Sequence, residues 1–313
     1  MSDPYVDPDT ERLLARMAGD FAAAPVEPTV QERREGLAAA AALYGPDPTP
    51  VARVESLLID GPGGPLPLRI YWPVEGAGPL PLLLHIHGGG WVLGDPDAYE
   101  RVVRAYCAMG GCIVVDVDYR RGPEHRFPAA LLDCEAALVW AAANAAELGA
   151  DPKRIVVTGD SAGGHIAASV CQRARVPLAG QVLIYPVTSA STQVDFASRS
   201  ALGDGRWFLR HFDIVRAETE YFARLEDQDT PAGSPLSAPA ALLANSPPTL
   251  IVTASLDPLV DEGRAYADAL AAAGVPTTYR CAEGTIHAFV LFAGQIALGR
   301  EVIKQVGASI RAA

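Results

Sequence analysis

Five short runs that are almost wholly apolar, at 82–86, 112–117, 155–158, 182–185 and 250–253, alternate with stretches of helical character near 97–108, 128–147, 162–174 and 261–273. A strand with two apolar faces must be covered on both sides, which is the situation of a parallel strand under helices. The alternation therefore predicts a parallel sheet built from βαβ units. A late strand at 277–282 and a C-terminal helix close the pattern.

Two regions depart from this rhythm. Residues 1–48 read as helices: Asp7-Pro8 can cap and open one, and Thr29-Val30-Gln31-Glu32 is a capping box opening an Ala-rich stretch to Tyr44. Some sixty residues, 188–248, also separate two strands, far more than an ordinary connection needs. An amphipathic piece at 207–225 suggests an inserted helix there. We expect a 1–48 helical cap segment and a 49–313 main domain carrying a cap insertion at about 188–248, the two helical pieces forming a lid over one end of the sheet. Ahead of the βαβ pattern, 57–59 and 66–72 flank Gly61-Pro62-Gly63-Gly64, which predicts an antiparallel hairpin.

Composition excludes several function classes. The net charge is −12 and only Lys153 and Lys304 are lysines, with no basic run, so a nucleic-acid partner is not expected. Five cysteines at irregular spacing (Cys107, Cys112, Cys134, Cys171, Cys281) form no CxxC pair and read as small buried hydrophobes, not a zinc or dithiol site. Met1-Ser2-Asp3-Pro4 has neither a charged n-region nor an apolar h-region, and no apolar run approaches a membrane span. The expectation is a cytoplasmic protein, with pairing into a homodimer left open.

The chemistry concentrates in three places. Gly159-Asp160-Ser161-Ala162-Gly163 follows the run 155–157 and opens a helix, the context of a nucleophile elbow, whose turn is too tight for bulk beside the serine. Alone, it could equally be a glycine turn with a capping serine. Upstream, His87-Gly88-Gly89-Gly90-Trp91 follows the run 82–86, and its consecutive glycines can leave backbone N–H groups free for an oxyanion. We expect Gly89, Gly90 and Ala162 as the donors, with Gly88 making the bend. After the run 250–253, Asp257 and Asp261 compete as the acid; Asp257 is nearer the strand end, and Asp261 stands where a helix begins, an ordinary capping position. His287 is the only histidine after Asp257, so the order Ser, Asp, His selects it as base. His85 reads as a strand residue, His125 and His211 as exposed, and His165 as part of the elbow helix. No histidine pair has ligand spacing with a carboxylate, so neither a metal nor another cofactor is required.

Together these segments resemble the hormone-sensitive lipase family of α/β-hydrolases, the group of many bacterial esterases, over roughly residues 80–290. His87–Trp91 and Gly159–Gly164 match its HGGGW and GDSAGG motifs; residues 119–130 are similar to its YRLAPEHPFPAA signature, and residues 257–263 to its DPL-x-DEG segment, whose first aspartate is the acid. Arg121-Gly122 stands where Leu-Ala is usual, and Ala288 where a glycine often follows the histidine.

The resemblance implies an α/β-hydrolase fold with a mostly parallel eight-stranded sheet and a helical cap, catalysing serine carboxylester hydrolysis of short- to medium-chain acyl esters through Ser161, Asp257 and His287. The expected pocket residues are Trp91, Tyr185, Trp207, Phe212 and Phe289. An amidase or formamidase using the same triad is an alternative, as is a ligand-binding protein on the same fold, against which the presence of His287 argues.

Overall fold

The computed structural model describes residues 3–313 except 24, 26, 77 and 192. Met1 and Ser2, at the start of the expected cap segment, and 24, 26 and 192 within its two pieces lie outside the described residues. The elements run α1 (Pro8–Asp20), α2 (Val30–Tyr44), β1 (Arg53–Gly61), β2 (Gly64–Trp72), β3 (Leu80–Ile86), α3 (Pro96–Gly110), β4 (Ile113–Val117), α4 (Ala129–Leu148), β5 (Ala150–Asp160), α5 (Ala162–Arg173) and β6 (Gly180–Ile184). Then come α6 (Ala197–Ala201), α7 (His211–Tyr221), α8 (Leu225–Gln228), α9 (Ala240–Leu243), β7 (Thr249–Leu256), α10 (Val260–Ala272), β8 (Thr277–Ile286) and α11 (Ala297–Ala312).

The strands form one sheet in the order β1-β2-β4-β3-β5-β6-β7-β8. The β1–β2 and β2–β4 pairs are antiparallel and every other pair is parallel. The α/β-hydrolase fold expected from the sequence is thus the fold observed. All five residues of β4 and of β6 are buried, because α4, α5 and α10 cover one face of the sheet and α3 and α11 the other. Leu82, Leu84 and Ile86 enter the first core and Leu83 the second, which is why β3 carries no polar alternation.

Local signals set the helix starts. The Asp7 carboxylate accepts the N–H of Asp9 ahead of Pro8, and the Thr29 and Glu32 side chains close a full capping box at α2. Asp95 caps α3 by accepting from Asp97 and Ala98. Against the expectation that no apolar run approaches a membrane span, the helix α4 is long and apolar enough to cross one by length and composition; here Leu131, Cys134, Ala137, Leu138 and Ala141 are buried in the core. Cys107, Cys112, Cys134 and Cys171 are buried and unpaired, as expected, whereas Cys281, also unpaired among the described residues, is only half-buried, against the expectation.

The expected insertion helix at 207–225 is shorter, His211–Tyr221, because Phe208 takes a left-handed φ of 80° and Phe222 is extended (φ −87°, ψ 127°), neither of which a helix can include. A buried ionic cluster anchors this insertion. Arg199 of α6 reaches Glu262 of α10 at 2.7 Å and Glu218 of α7 at 3.3 Å, and the Glu262 carboxylate also accepts the N–H groups of Thr188 and Ser189. Burial, opposed by Arg199 and aided by the second carboxylate, pushes the Glu218 carboxyl from 4.5 up to about 7. The folded state therefore holds this proton more tightly than the unfolded chain. The stability due to Glu218 is full below the ordinary carboxylate range and is lost as pH rises toward 7. Glu218→Gln should accordingly flatten the fall in Tm between about pH 5 and about pH 8. Thermal melts across that range showing the same slope in both proteins would contradict the assignment.

Candidate active site

The elbow is enforced by close packing. Ser161 sits at φ 55° and ψ −122°, between the end of β5 and the start of α5. A Cβ at Gly159 would run into the carbonyl of Gly163, and one at Gly163 into the carbonyls of Ile86 and His87, so neither glycine can carry a side chain without moving β3 or β5. The N–H of Ser161 donates to Ile184 O (2.9 Å), fixing the turn to β6.

Three side chains from three loops converge. His287 Nε2 lies 2.8 Å from Ser161 Oγ, and His287 Nδ1 lies 2.7 Å from Asp257 Oδ2. The other oxygen of Asp257 accepts the N–H of Leu259 at 2.9 Å, so the carboxylate is fixed at both ends and fully buried. Asp261 is exposed and its carboxylate accepts the N–H of Ser198 at 2.9 Å. Its role is a capping one, as expected, but on α6 rather than on its own helix. Ala288 adopts φ 64°, the left-handed region, which explains why a glycine suits the position after His287.

The loop after β3 bends at Gly89 and Gly90, with φ 109° and 60°, and not at Gly88 as the sequence suggested. Gly88 is needed for space instead: a Cβ there would lie 2.6 Å from Asp160 Oδ2. Its N–H donates to Asp160 Oδ1 (2.9 Å), and Tyr99 donates its hydroxyl to the other oxygen (3.0 Å). The Gly89 carbonyl accepts from Val92 and Leu93, whereas the N–H groups of Gly89, Gly90 and Ala162 donate to no acceptor among the described residues. His87 supports the loop from below, stacked on Tyr119 at 4.2 Å with Nδ1 on Gly88 O; burial holds its pKa down to about 4, so it is neutral. The unusual Arg121 donates to the carbonyls of Leu93 and Gly94, and Gly122 gives its N–H to Trp91 O (2.9 Å).

Ser161, His287, Gly89 and Gly90 open onto a cavity of about 260 Å³. Arg33 and Leu37 of α2 line it, as do Phe208, Leu209, Ile214, Arg216 and Ala217 of the insertion, and Leu259 and Leu291. Of the five expected pocket residues only Trp91 is on the wall, and its indole is committed: it stacks on Tyr221 at 4.9 Å and donates its N–H to His165 Nδ1 (3.0 Å). The other four are corrected by packing. Tyr185 is buried behind His287, its ring 4.7 Å from the imidazole, and Phe289 packs behind Tyr185. Trp207 is buried in the core under Arg206, and Phe212 is 62% exposed, on the outer side of α7. His85 lies in β3 beside Asp116, and His125 and His211 are exposed, as expected.

The alpha/beta hydrolase fold family matches residues 83–291. The chain is 38% identical to the carboxylesterase NlhH of Mycobacterium tuberculosis over 93% of its length and 90% of that protein. It is 40% identical to the esterase LipI of the same organism, covering 80% of this chain and 79% of LipI. A solved ester-hydrolase from the Lake Arreo metagenome, in complex with a bipyridine phosphonate derivative, superposes with a TM-score of 0.92 at 35% identity, covering 98% of this chain and 99% of that one.

Proposed function

Because this chain belongs to the α/β-hydrolase family, among esterases that it matches over most of their length, we propose that its ester hydrolysis runs through Ser161, His287 and Asp257. It is a serine carboxylesterase. The observation that carries the site assignment is the unbroken chain of contacts from Ser161 Oγ through His287 to the buried Asp257, facing the cavity beside three free N–H groups.

On this reading His287 Nε2 takes the proton of Ser161 as Oγ adds to the ester carbonyl. Asp257 stabilises the imidazolium. Gly89, Gly90 and Ala162 donate to the tetrahedral oxyanion, whose collapse breaks the C–O bond while His287 protonates the departing alcohol. Water then adds to the acyl-enzyme by the same route and releases the acid and the serine. Kinetics on an acyl ester and its matching anilide test the reaction class: kcat/KM should be far higher on the ester, and comparable values would point to an amidase.

The substrates we propose are short- to medium-chain acyl esters, with residues 1–48 and 188–248 acting as a two-piece cap. Leu37 of one piece and Phe208, Ile214 and Ala217 of the other bound the same cavity, which supports that role. Each methylene that fits adds only about 0.8 kcal/mol of burial, so preference should climb gently and drop once the cavity is full. Deleting residues 1–45 should shift the chain-length optimum among p-nitrophenyl esters, a ratio that a uniform loss of rate leaves untouched. A folded deletion variant with the wild-type profile would remove α2 from the pocket. Four buried, unpaired cysteines support a reducing compartment, and we place the protein in the cytoplasm.

A further inference from the structure

Arg33 and Arg34 are neighbours on α2 but turn to different partners. Arg33 reaches Glu220 of α7 at 2.6 Å. Arg34 faces the loop that carries the free glycine N–H groups. Its Nε donates to Val92 O (2.9 Å), its Nη2 to Gly122 O (3.0 Å), and both terminal nitrogens grip Glu124 at 2.8 and 2.7 Å. The two segments joined in this way are already stitched to each other and to the oxyanion loop. Val92 donates to Gly89 O (3.2 Å), and Gly122 donates to Trp91 O (2.9 Å).

The planar guanidinium therefore spans three acceptors on two chain segments, immediately after Gly89 and Gly90. A lysine at the same place is a point donor and cannot hold all three at once. The loop needs such a brace, since Gly89, Gly90 and Trp91 have φ of 109°, 60° and 59°, and glycine backbone has many other conformations open to it. The grip on Glu124 is charged on both sides at any working pH, because Arg34 holds that carboxyl down to about 2.

We infer that Arg34, from the N-terminal helix, is a positioning residue for the oxyanion hole, fixing the Gly89 and Gly90 N–H groups by bracing the carbonyls of Val92 and Gly122 against Glu124. The inference rests on the esterase reading and on those two glycines as donors. An arginine that only staples the cap to the catalytic domain would act differently: its loss would lower stability or raise KM. A brace on the oxyanion donors acts on the transition state, so its loss lowers kcat.

The test measures kcat, KM and Tm for Arg34→Gln, Arg34→Lys and Arg34→Ala beside wild type and Arg16→Gln. Arg16 also ties an N-terminal helix to the catalytic domain, through Gln295 at 2.6 Å, but touches nothing near the loop. Arg34→Gln should lower kcat about 10- to 100-fold with KM within about twofold, the scale of a small misplacement of a reacting geometry. Arg34→Lys should recover only a minor part of the loss, millimolar guanidinium ion should restore part of kcat to Arg34→Ala, and Arg16→Gln should keep wild-type kcat. A kcat within about twofold of wild type in Arg34→Gln or, if that variant fails to fold, in Arg34→Lys overturns the inference, as does an equal kcat loss in Arg16→Gln. Failure of the underlying esterase reading would show separately, as turnover surviving in Ser161→Ala.

Discussion

Ser161→Ala should lower kcat on an activated ester by about 10⁶, leaving only the residual acceleration that an oxyanion hole and binding supply without a nucleophile. The loss should come without unfolding. Ser161 already holds a positive φ, alanine fits wherever serine does, and the turn is fixed by backbone bonds to Ile184, Val187 and His165 that need no hydroxyl. Tm should therefore stay close to wild type while turnover vanishes. A folded variant retaining more than a trace of the wild-type rate would mean that another group attacks the ester.

Asp257→Asn should cost about 10⁴ in kcat, the scale seen when the orienting acid of a comparable triad is amidated. The structure supplies the reason. One oxygen of Asp257 accepts the Leu259 N–H, so an asparagine would keep its carbonyl there and turn its NH₂ toward His287 Nδ1. That nitrogen would then have to accept, placing the imidazole proton on Nε2, where it faces Ser161 and cannot take the hydroxyl proton. Asp261→Asn should change kcat little, because an amide carbonyl can still accept from Ser198. Kinetics of the two variants side by side decide the matter; a larger loss at 261 would reverse the assignment.

The proposed catalytic centre was legible because its signals are local. The two glycines around Ser161 are demanded by carbonyls a few residues away or on the adjoining strand, and the order Ser, Asp, His is written along the chain. The buried strands were equally plain, since both faces of β4 and β6 meet helices. The pocket wall was not. Which side of α7 sees the cavity depends on how it docks, so Ile214 and Ala217 line it while Phe212, the more conspicuous residue, points to solvent. Tyr185 and Phe289 were expected against substrate and instead form the packing behind His287. The pieces α6, α8 and α9, of four or five residues, are too short to show any period.

The arginines that hold the glycine loop after β3 were hidden for a similar reason. Arg121 stands where the family signature usually carries leucine, and it ties down the carbonyls of Leu93 and Gly94, contacts that the motif comparison alone does not show. Arg34 meets acceptors 58 to 90 residues further along the chain, a separation at which spacing carries no information.

The most direct test of the central claim is covalent labelling with a p-nitrophenyl alkylphosphonate, followed by intact-mass and peptide mass spectrometry. One phosphonyl group per chain is expected, located on Ser161, formed with release of one equivalent of p-nitrophenol and strongly slowed in Asp257→Asn. A label on any other residue, or an active enzyme that takes up no label, would contradict that claim.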